Sequence, residues 1–162
     1  DLRHLDLNDI AHEVVRLVRP EAESRNIIID LRTTQRPAMM NGDRDLLQQA
    51  VLNVVVNAVD AMPGGGLLRL ETLRGGGRIE LLVSDSGPGI PPEIRKKIFD
   101  LYFSTKERGS GIGLAMTFRF VQLLDGKIEV ASESGRGATF RFSFPEAFTS
   151  RSDSELSRAL QA

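Results

Sequence analysis

The amino-acid sequence predicts an α/β fold, a two-layer sandwich in which a mixed, mostly antiparallel sheet carries its helices on one face. Segments with helical and strand periodicity follow one another in the order α, β, α, β, β, loop, α, β, β. This order lacks the strict alternation of a doubly wound parallel sheet, and it indicates a mixed sheet. Short glycine-rich segments separate two pairs of neighbouring strands, as in antiparallel hairpins.

The first predicted element is an amphipathic helix from Leu7 to about Arg25. Asn8 or Asp9 is its expected cap, and Pro20 inside the pattern predicts a kink or a break. The other predicted elements are strands over 27–31, 38–41, 67–73, 78–84, 127–131 and 138–144, and helices over 43–62 and 112–124.

Two residues are expected to cap the later helices, and one long loop precedes the last helix. Asp43 is the expected N-cap of the second helix, and Gly126 is well placed as the C-cap of the last. Residues 85–113 are rich in glycine, proline and charge, with one short turn near 93–99. A loop of this length in a compact domain is usually functional or disordered.

Composition limits the classes of function. The chain has 162 residues, a net charge of −1 and no cysteine. This length suits one domain, and the charge gives no reason to expect nucleic acid. Without cysteine there is no disulfide, thiolate zinc site or thiol nucleophile. The sequence shows neither an apolar run of ~18 residues for a membrane span nor a signal-peptide pattern. We expect a soluble, cytoplasmic domain that is monomeric in isolation.

The second predicted helix carries two stripes. Its apolar stripe suits a buried face, whereas Gln49, Asn53, Asn57 and Asp60 form a polar stripe. Asparagine is a mediocre helix former, so two of them one turn apart call for a reason. One interpretation is a solvated face. The other is that the carboxamides bind phosphate and a hard cation such as Mg²⁺, which takes oxygen ligands.

Two glycine-rich loops flank the long connection. The first, Asp85–Ile90, reads DSGPGI after a strand, where the Asp can accept a hydrogen bond from an exocyclic amine; a plain turn is the alternative. The second, Gly109–Ala115, reads GSGIGLA at a helix start, an arrangement that binds anions; a glycine hinge is the alternative. Lys106 and Arg108 can reach phosphate or simply be solvated.

Together these stretches resemble the catalytic and ATP-binding domain of sensor histidine kinases, which has the Bergerat-type fold. LLQQAVLNVVVNAVDAM is similar to the family's asparagine box, DSGPGI and GSGIGLA to its two glycine boxes, FDLYFSTK to its phenylalanine box, and GRGATF to its terminal glycine-threonine element. The F-x-S-T-K sequence most resembles the nitrogen-regulation branch. The resemblance runs from about Leu7 to Pro145.

This resemblance implies ATP and Mg²⁺ as cofactors and assigns roles by position. Asn57 would ligate Mg²⁺, while Asn53 would contact phosphate or the metal's water shell. Asp85 would bond the adenine amine, with support from Thr139 through water. The positions expected to contact nucleotide are Asn53, Asn57, Asp60, Asp85, Gly87, Gly89, Ile90, Lys106, Gly109, Gly111, Gly113, Leu114 and Thr139, and those expected to act in catalysis are Asn53, Lys106 and Arg108. In some members of the family, a basic and an aromatic residue at two positions after the metal asparagine touch the nucleotide. Here the positions are Asp60 and Ala61, so these basic and aromatic contacts are not expected.

Relatives that hydrolyse ATP resemble one another in a glutamate base four residues before the metal asparagine. Here that position is Asn53, which cannot take a proton from water, so a kinase is favoured over an ATPase or a nucleotide-dependent switch of the same fold. A nucleotide-sensing or protein-binding domain without chemistry is the third alternative.

The expected layout is a linker helix over 1–26, the catalytic domain over 27–145 and a tail over 146–162. Neither His4 nor His12 is the expected phosphoacceptor, although HEVVRLVRP resembles that motif faintly. We therefore expect a fragment that transfers the γ-phosphoryl group to a histidine on a separate dimerisation domain, and through it to a response regulator.

Overall fold

The computed structural model describes residues 3–95, 97, 113–132 and 135–147, and it confirms the predicted two-layer sandwich. In chain order the elements are β1 (Arg3–Asp6), α1 (Leu7–Ser24), β2 (Ile27–Arg32), β3 (Met39–Gly42), α2 (Arg44–Asp60), β4 (Gly66–Gly75), β5 (Arg78–Asp85), α3 (Pro92–Arg95), α4 (Gly113–Leu123), β6 (Lys127–Ser132) and β7 (Ala138–Pro145). The main sheet has the order β2-β4-β5-β7-β6, and β1 pairs separately with β3. In the main sheet only β2 and β4 are parallel.

The two faces of the main sheet differ in polarity, because side chains alternate along each strand. Leu70, Leu81 and Phe142 are fully buried on the face that packs against the helices. The opposite face carries ion pairs, such as Arg69 Nε to Asp30 Oδ2 at 3.0 Å. This alternation is the pattern expected of a sheet covered on one side.

Helix α1 begins at Leu7, as predicted, although a different residue caps it. Its N-cap is Asp6, not Asn8 or Asp9, and the Asp6 carboxylate accepts hydrogen bonds from the N–H groups of Asn8 and Ala38, both at 3.0 Å. The reason is β1, a four-residue strand too short to be recognised from periodicity, which ends at Asp6. Asn8 is instead buried and bonded to Thr72.

Of the kink or break predicted at Pro20, the break does not occur. The helix runs unbroken from Leu7 to Ser24 with Pro20 inside it. Proline removes one backbone hydrogen bond, but Pro20 lies on the exposed side of the helix. A carbonyl left without its N–H partner on that side can be hydrated by water.

Helix α2 follows the prediction closely. Asp43 caps it by accepting from the N–H groups of Asp45 at 3.0 Å and Leu46 at 3.2 Å. The apolar stripe is buried, as expected: Leu47, Val51, Val54, Ala58 and Met62. The polar stripe therefore lies on the opposite side of α2.

Gly126 serves packing more than capping. The residue in the left-handed conformation after α4 is Asp125, with φ of 57°, while the Gly126 N–H bonds to the Val121 carbonyl at 2.9 Å. A Cβ on Gly126 would lie 2.5 Å from the Phe144 ring. Glycine is needed here because the Phe144 ring occupies the space of a side chain.

The predicted layout of the chain stays a prediction. Within the described residues, α1 packs on α2 and β2 and contributes side chains to the core. The predicted tail falls largely on residues 148–162, outside the described residues. None of the helices in the described part of the chain combines the length and apolar character needed to cross a membrane.

Candidate functional site

Three parts of the chain that are far apart in sequence meet along the polar stripe of α2. The Asn53 amide donates a hydrogen bond to the carbonyl of Gly113, the first residue of α4, at 3.2 Å. Two turns later, the space beside Gly87 is so narrow that a Cβ there would lie 2.9 Å from the Ala61 carbonyl oxygen. Asn57 lies one turn from each of these contacts, since residues four apart share a helix face. The helix thus brings the first glycine loop and the start of α4 to either side of Asn57.

Asn53 is held on both sides. Its Oδ1 accepts a hydrogen bond from Gln49 Nε2 at 2.8 Å while its Nδ2 bonds Gly113. The Thr117 hydroxyl also donates to the Gly113 carbonyl, at 2.9 Å, and lies 3.3 Å from the Ala50 carbonyl. Thr117 is fully buried, and sequence reasoning missed it because a threonine at a helical core spacing carries no signal of its own. These bonds fix the start of α4 against α2.

Asn57 differs from its neighbours on the stripe. It is half-buried, and its amide makes no hydrogen bond to any described residue. A carboxamide oxygen is a suitable ligand for a hard cation that keeps water and phosphate as its other ligands. No three His, Cys, Asp or Glu side chains in the described ranges are grouped to hold a metal. The donors present therefore fit a Mg²⁺ ion that is brought in with a phosphate.

Asp60, the last member of the stripe, is directed toward α1. Its Oδ1 lies 3.4 Å from Arg25 Nη1, and Arg25 also bonds Glu21 at 2.7 Å. This ion pair joins the C-terminal ends of α1 and α2. It gives Asp60 a structural partner at the end of the site.

Asp85, the last residue of β5, is the acid of the first glycine loop. Its Oδ1 accepts a hydrogen bond from the Gly87 N–H at 2.8 Å. Burial raises the pKa of the Asp85 carboxyl, and hydrogen bonds from the Gly87 and Ala138 N–H groups oppose that rise only in part. A half-buried carboxylate of this kind is a good acceptor for an amine that also enters a partly dry pocket.

Backbone packs directly against Asp85. A Cβ on Gly137 would lie 1.9 Å from the Asp85 carbonyl oxygen, and Gly137 has φ of 82°. Gly89 also has a positive φ, 80°. Both conformations favour glycine, so the glycines near Asp85 are required by the fold of the loop as well as by access to it.

Thr139 is on the other face of the sheet from Asp85. The strand register pairs Asp85 with Ala138 and Ser84 with Thr139. The hydroxyls of Ser84 and Thr139 are 2.9 Å apart, and successive residues of a strand face opposite sides. The structure therefore places Ala138, and not Thr139, beside the Asp85 side chain.

The first glycine loop is fastened to the hairpin of β6 and β7. Ile90 N–H donates to the Ser132 hydroxyl at 2.6 Å, and the Gly135 N–H donates to the Pro88 carbonyl at 2.7 Å. Sequence reasoning missed Ser132, because nothing in one serine of a strand predicts a partner 42 residues away. Ile90 itself packs against the core.

The second glycine loop is only partly described. Gly113 is the exposed first residue of α4, and Leu114 is half-buried against the core. The other predicted positions lie outside the described residues: Lys106, Arg108, Gly109 and Gly111.

A family model described as "Histidine kinase-, DNA gyrase B-, and HSP90-like ATPase" matches residues 42–147. The chain belongs to this ATPase family. The matched region of the family begins just before α2 and ends after β7, so it contains the α2 polar stripe, the first glycine loop and the start of α4.

Within the family, most of the similar curated proteins are kinases by name. Sporulation kinase C of Bacillus subtilis (strain 168) is 34% identical over 140 residues, which cover 86% of this chain and 33% of that protein. Across these similar curated proteins, this chain spans from 24% to 37% of their length.

Two solved structures show the same fold. The nucleotide-free catalytic domain of histidine kinase ThkA superposes with a TM-score of 0.82 at 27% identity, covering 90% of this chain and 98% of that chain. Full-length ShkA in complex with AMPPNP superposes with a TM-score of 0.80 at 32% identity, covering 93% of this chain and 32% of that chain. The fold is that of histidine kinase catalytic domains.

Proposed function

We propose that this chain is the Mg-ATP-binding catalytic domain of a sensor histidine kinase, and that it donates the γ-phosphoryl group of ATP to a histidine on a separate dimerisation domain. The observation that carries the proposal is the position of Asn57. Its amide is unengaged among the described residues, one turn from α4 on one side and from the Asp85 loop on the other. The kinase names of the similar proteins and the complex of full-length ShkA with AMPPNP support it.

In this proposal, one group of residues binds the adenine base and another binds the phosphates with their metal ion. Asp85 accepts from the exocyclic amine of adenine, with Gly87 and Gly89 beside the base. Asn57 holds Mg²⁺, which when bound neutralises charge on the phosphates. Asn53 keeps one amide N–H for Gly113 and has a second for a phosphate oxygen, since a carboxamide has two. Gly113 lies at the N-terminal end of α4, where helix N–H groups favour anions.

Transfer to a protein is favoured over hydrolysis by the residue one turn before Asn57. Hydrolysis requires a base that activates water, and Asn53 is an amide already bonded to Gln49 and Gly113. The only carboxylate of the α2 polar stripe, Asp60, is ion-paired with Arg25. Phosphoryl transfer itself needs mostly positioning and charge stabilisation, which this set of residues can supply.

The proposal is tested by phosphate transfer from radiolabelled Mg-ATP. Alone, the chain is expected to turn over ATP slowly or not at all. After addition of the dimerisation domain of its parent protein, label is expected on that domain's histidine, in a bond that is stable to base and labile to acid. Steady release of inorganic phosphate by the isolated chain would instead identify an ATPase of this family.

Replacing Asp85 with asparagine tests the adenine contact. We expect ADP to bind more weakly by about 1–3 kcal/mol, the cost of leaving a buried polar group mispaired. The same change alters the pH dependence of stability. Because the native carboxyl has a raised pKa, the native protein holds its proton to a higher pH than the unfolded chain, and wild-type stability falls as the pH rises through that raised pKa.

The Asp85→Asn variant lacks this titration, so its stability relative to wild type should improve from acid toward neutral pH. Calorimetric ADP titrations and urea unfolding at several pH values measure both effects. Asp125→Asn is the matched control, since Asp125 is exposed and its left-handed conformation suits asparagine. Unchanged ADP affinity in Asp85→Asn would show that Asp85 does not contact the adenine base.

A further inference from the structure

The Ser132 hydroxyl joins two segments that the sequence keeps apart. Ser132 is the last residue of β6. Its Oγ accepts a hydrogen bond from the Ile90 N–H at 2.6 Å and donates one to the Gly137 carbonyl at 2.9 Å. One side chain therefore ties the end of the first glycine loop to the residue before β7.

Backbone hydrogen bonds of Ser132 and of Gly135 also hold these two segments together. The Ser132 carbonyl accepts from Arg95 Nη1 of α3 at 3.0 Å, and the Gly135 N–H bonds the Pro88 carbonyl at 2.7 Å. Among the described residues of the loop, Ile90 is the one whose backbone is held by a side chain of β6. Ser132 thus anchors the C-terminal end of the loop.

Both segments held by Ser132 border Asp85. On one side, the loop begins with Gly87, whose N–H bonds the Asp85 carboxylate at 2.8 Å. On the other side, Gly137 packs so closely that a Cβ would meet the Asp85 carbonyl oxygen at 1.9 Å. The loop therefore contacts the Asp85 carboxylate while Gly137 contacts the Asp85 carbonyl, so a change in the separation of the loop and Gly137 would move Asp85.

We propose that Ser132 is a positioning residue for base recognition, which sets the selectivity of the site for adenine by holding Ile90 and Gly137 at a fixed separation on either side of Asp85. The inference rests on the proposed function, in which Asp85 bonds the adenine amine. Ser132 itself needs no contact with the nucleotide.

A hydroxyl can fill both roles of Ser132 at once, because it donates one hydrogen bond and accepts another. Alanine leaves the Ile90 N–H and the Gly137 carbonyl without these partners, and both groups then turn toward water. Threonine keeps the hydroxyl. A cysteine of similar size keeps only a weak donor and acceptor.

The test compares ADP with IDP, which carries a carbonyl oxygen in place of the adenine amine and so lacks the amine donor proposed to bond Asp85, while its ring N1–H is a donor at the neighbouring position. In wild type we expect ADP to bind more tightly than IDP. In Ser132→Ala we expect the ADP-to-IDP affinity ratio to fall about 3- to 10-fold, the factor of one mispaired hydrogen bond, and in Ser132→Thr to recover. Exchange of the Ile90 amide proton, followed by NMR, should accelerate in Ser132→Ala.

Ser143→Ala is the matched control, since Ser143 is a strand serine whose hydroxyl bonds Arg78 at 3.0 Å on the opposite face of the sheet. Its affinity ratio should equal that of wild type. If Ser132→Ala does not fold, Ser132→Cys provides the same comparison.

Two results would overturn the role of Ser132. An unchanged ADP-to-IDP ratio, or equal weakening of both nucleotides, would show that Ser132 supports only the fold. Failure of the proposed function has a different outcome. In that case wild type itself binds ADP and IDP equally. That result would contradict both the contact of Asp85 with adenine and the role of Ser132 that depends on it.

Discussion

Replacing Asn57 with alanine is expected to abolish the Mg²⁺-dependent part of ATP binding. Its amide is the group on the polar stripe of α2 without a hydrogen-bond partner among the described residues, and it lies between the two contacts that define the site. A cation held by phosphate and one protein oxygen loses its only protein ligand in this variant. We expect Mg²⁺ to tighten ATP binding by about tenfold or more in wild type, equivalent to about 1.4 kcal/mol, and not at all in Asn57→Ala.

The measurement is ATP affinity with Mg²⁺ and with a chelator. Alanine is the better helix former, so α2 should remain intact and a loss of binding cannot be attributed to unfolding. Asn41→Ala, an exposed asparagine of β3, is the control and should keep the wild-type dependence. If Asn57→Ala retained the Mg²⁺ effect, the metal would have to be assigned to another residue.

Replacing Gly137 with alanine should be the most damaging small substitution near Asp85. A Cβ there would lie 1.9 Å from the Asp85 carbonyl oxygen and 3.2 Å from Ser86 Cα, and both are backbone atoms that cannot rotate away. The end of β5 must separate from the turn before β7, which is also where Asp85 is held. We expect Gly137→Ala to lower both the free energy of unfolding and the affinity for ADP.

Gly135→Ala isolates the steric part of this effect. Gly135 has φ of 80°, close to the 82° of Gly137, but a Cβ on Gly135 would meet nothing within 4 Å. Both variants carry the ~1–2 kcal/mol cost of a left-handed alanine, and only Gly137→Ala adds a collision of about 1–3 kcal/mol. Urea unfolding of the two variants gives the difference. Equal losses would mean that the backbone can move aside at no cost.

Much of the fold could be predicted because its elements have regular periodicity. The hairpins of β4–β5 and β6–β7 were visible as alternating runs around glycines, and the buried stripe of α2 as apolar residues at helical spacing. The β1–β3 pair was not fully predicted, since four-residue strands have too few alternations and their pairing is decided by distant residues. The effects of Pro20 and Gly126 were only partly predicted, because they depend on the exposure of Pro20 and on the Phe144 ring beside Gly126.

Some residues of the candidate site could likewise be predicted from the sequence, and others could not. Asn57 and Asp85 could be singled out because their residue types are unusual in a helix or at a strand end, and those unusual types implied chemistry. Ser132 and Thr117 could not, because serine and threonine are common in strands and helices. Their importance comes from the bond of Ser132 to Ile90 and the bond of Thr117 to the Ala50 carbonyl, partners that only the folded chain brings near.

The pairing of β5 with β7 also determines when the site forms during folding. The two hairpins are local in sequence, so each can close early at little cost in chain entropy. On the seam between the two hairpins, Asp85 of one faces Ala138 of the other. Neither hairpin alone can bring these two residues together. If adenine binds at Asp85, as proposed above, nucleotide binds only chains that have made this long-range pairing, and it then stabilises the completed fold.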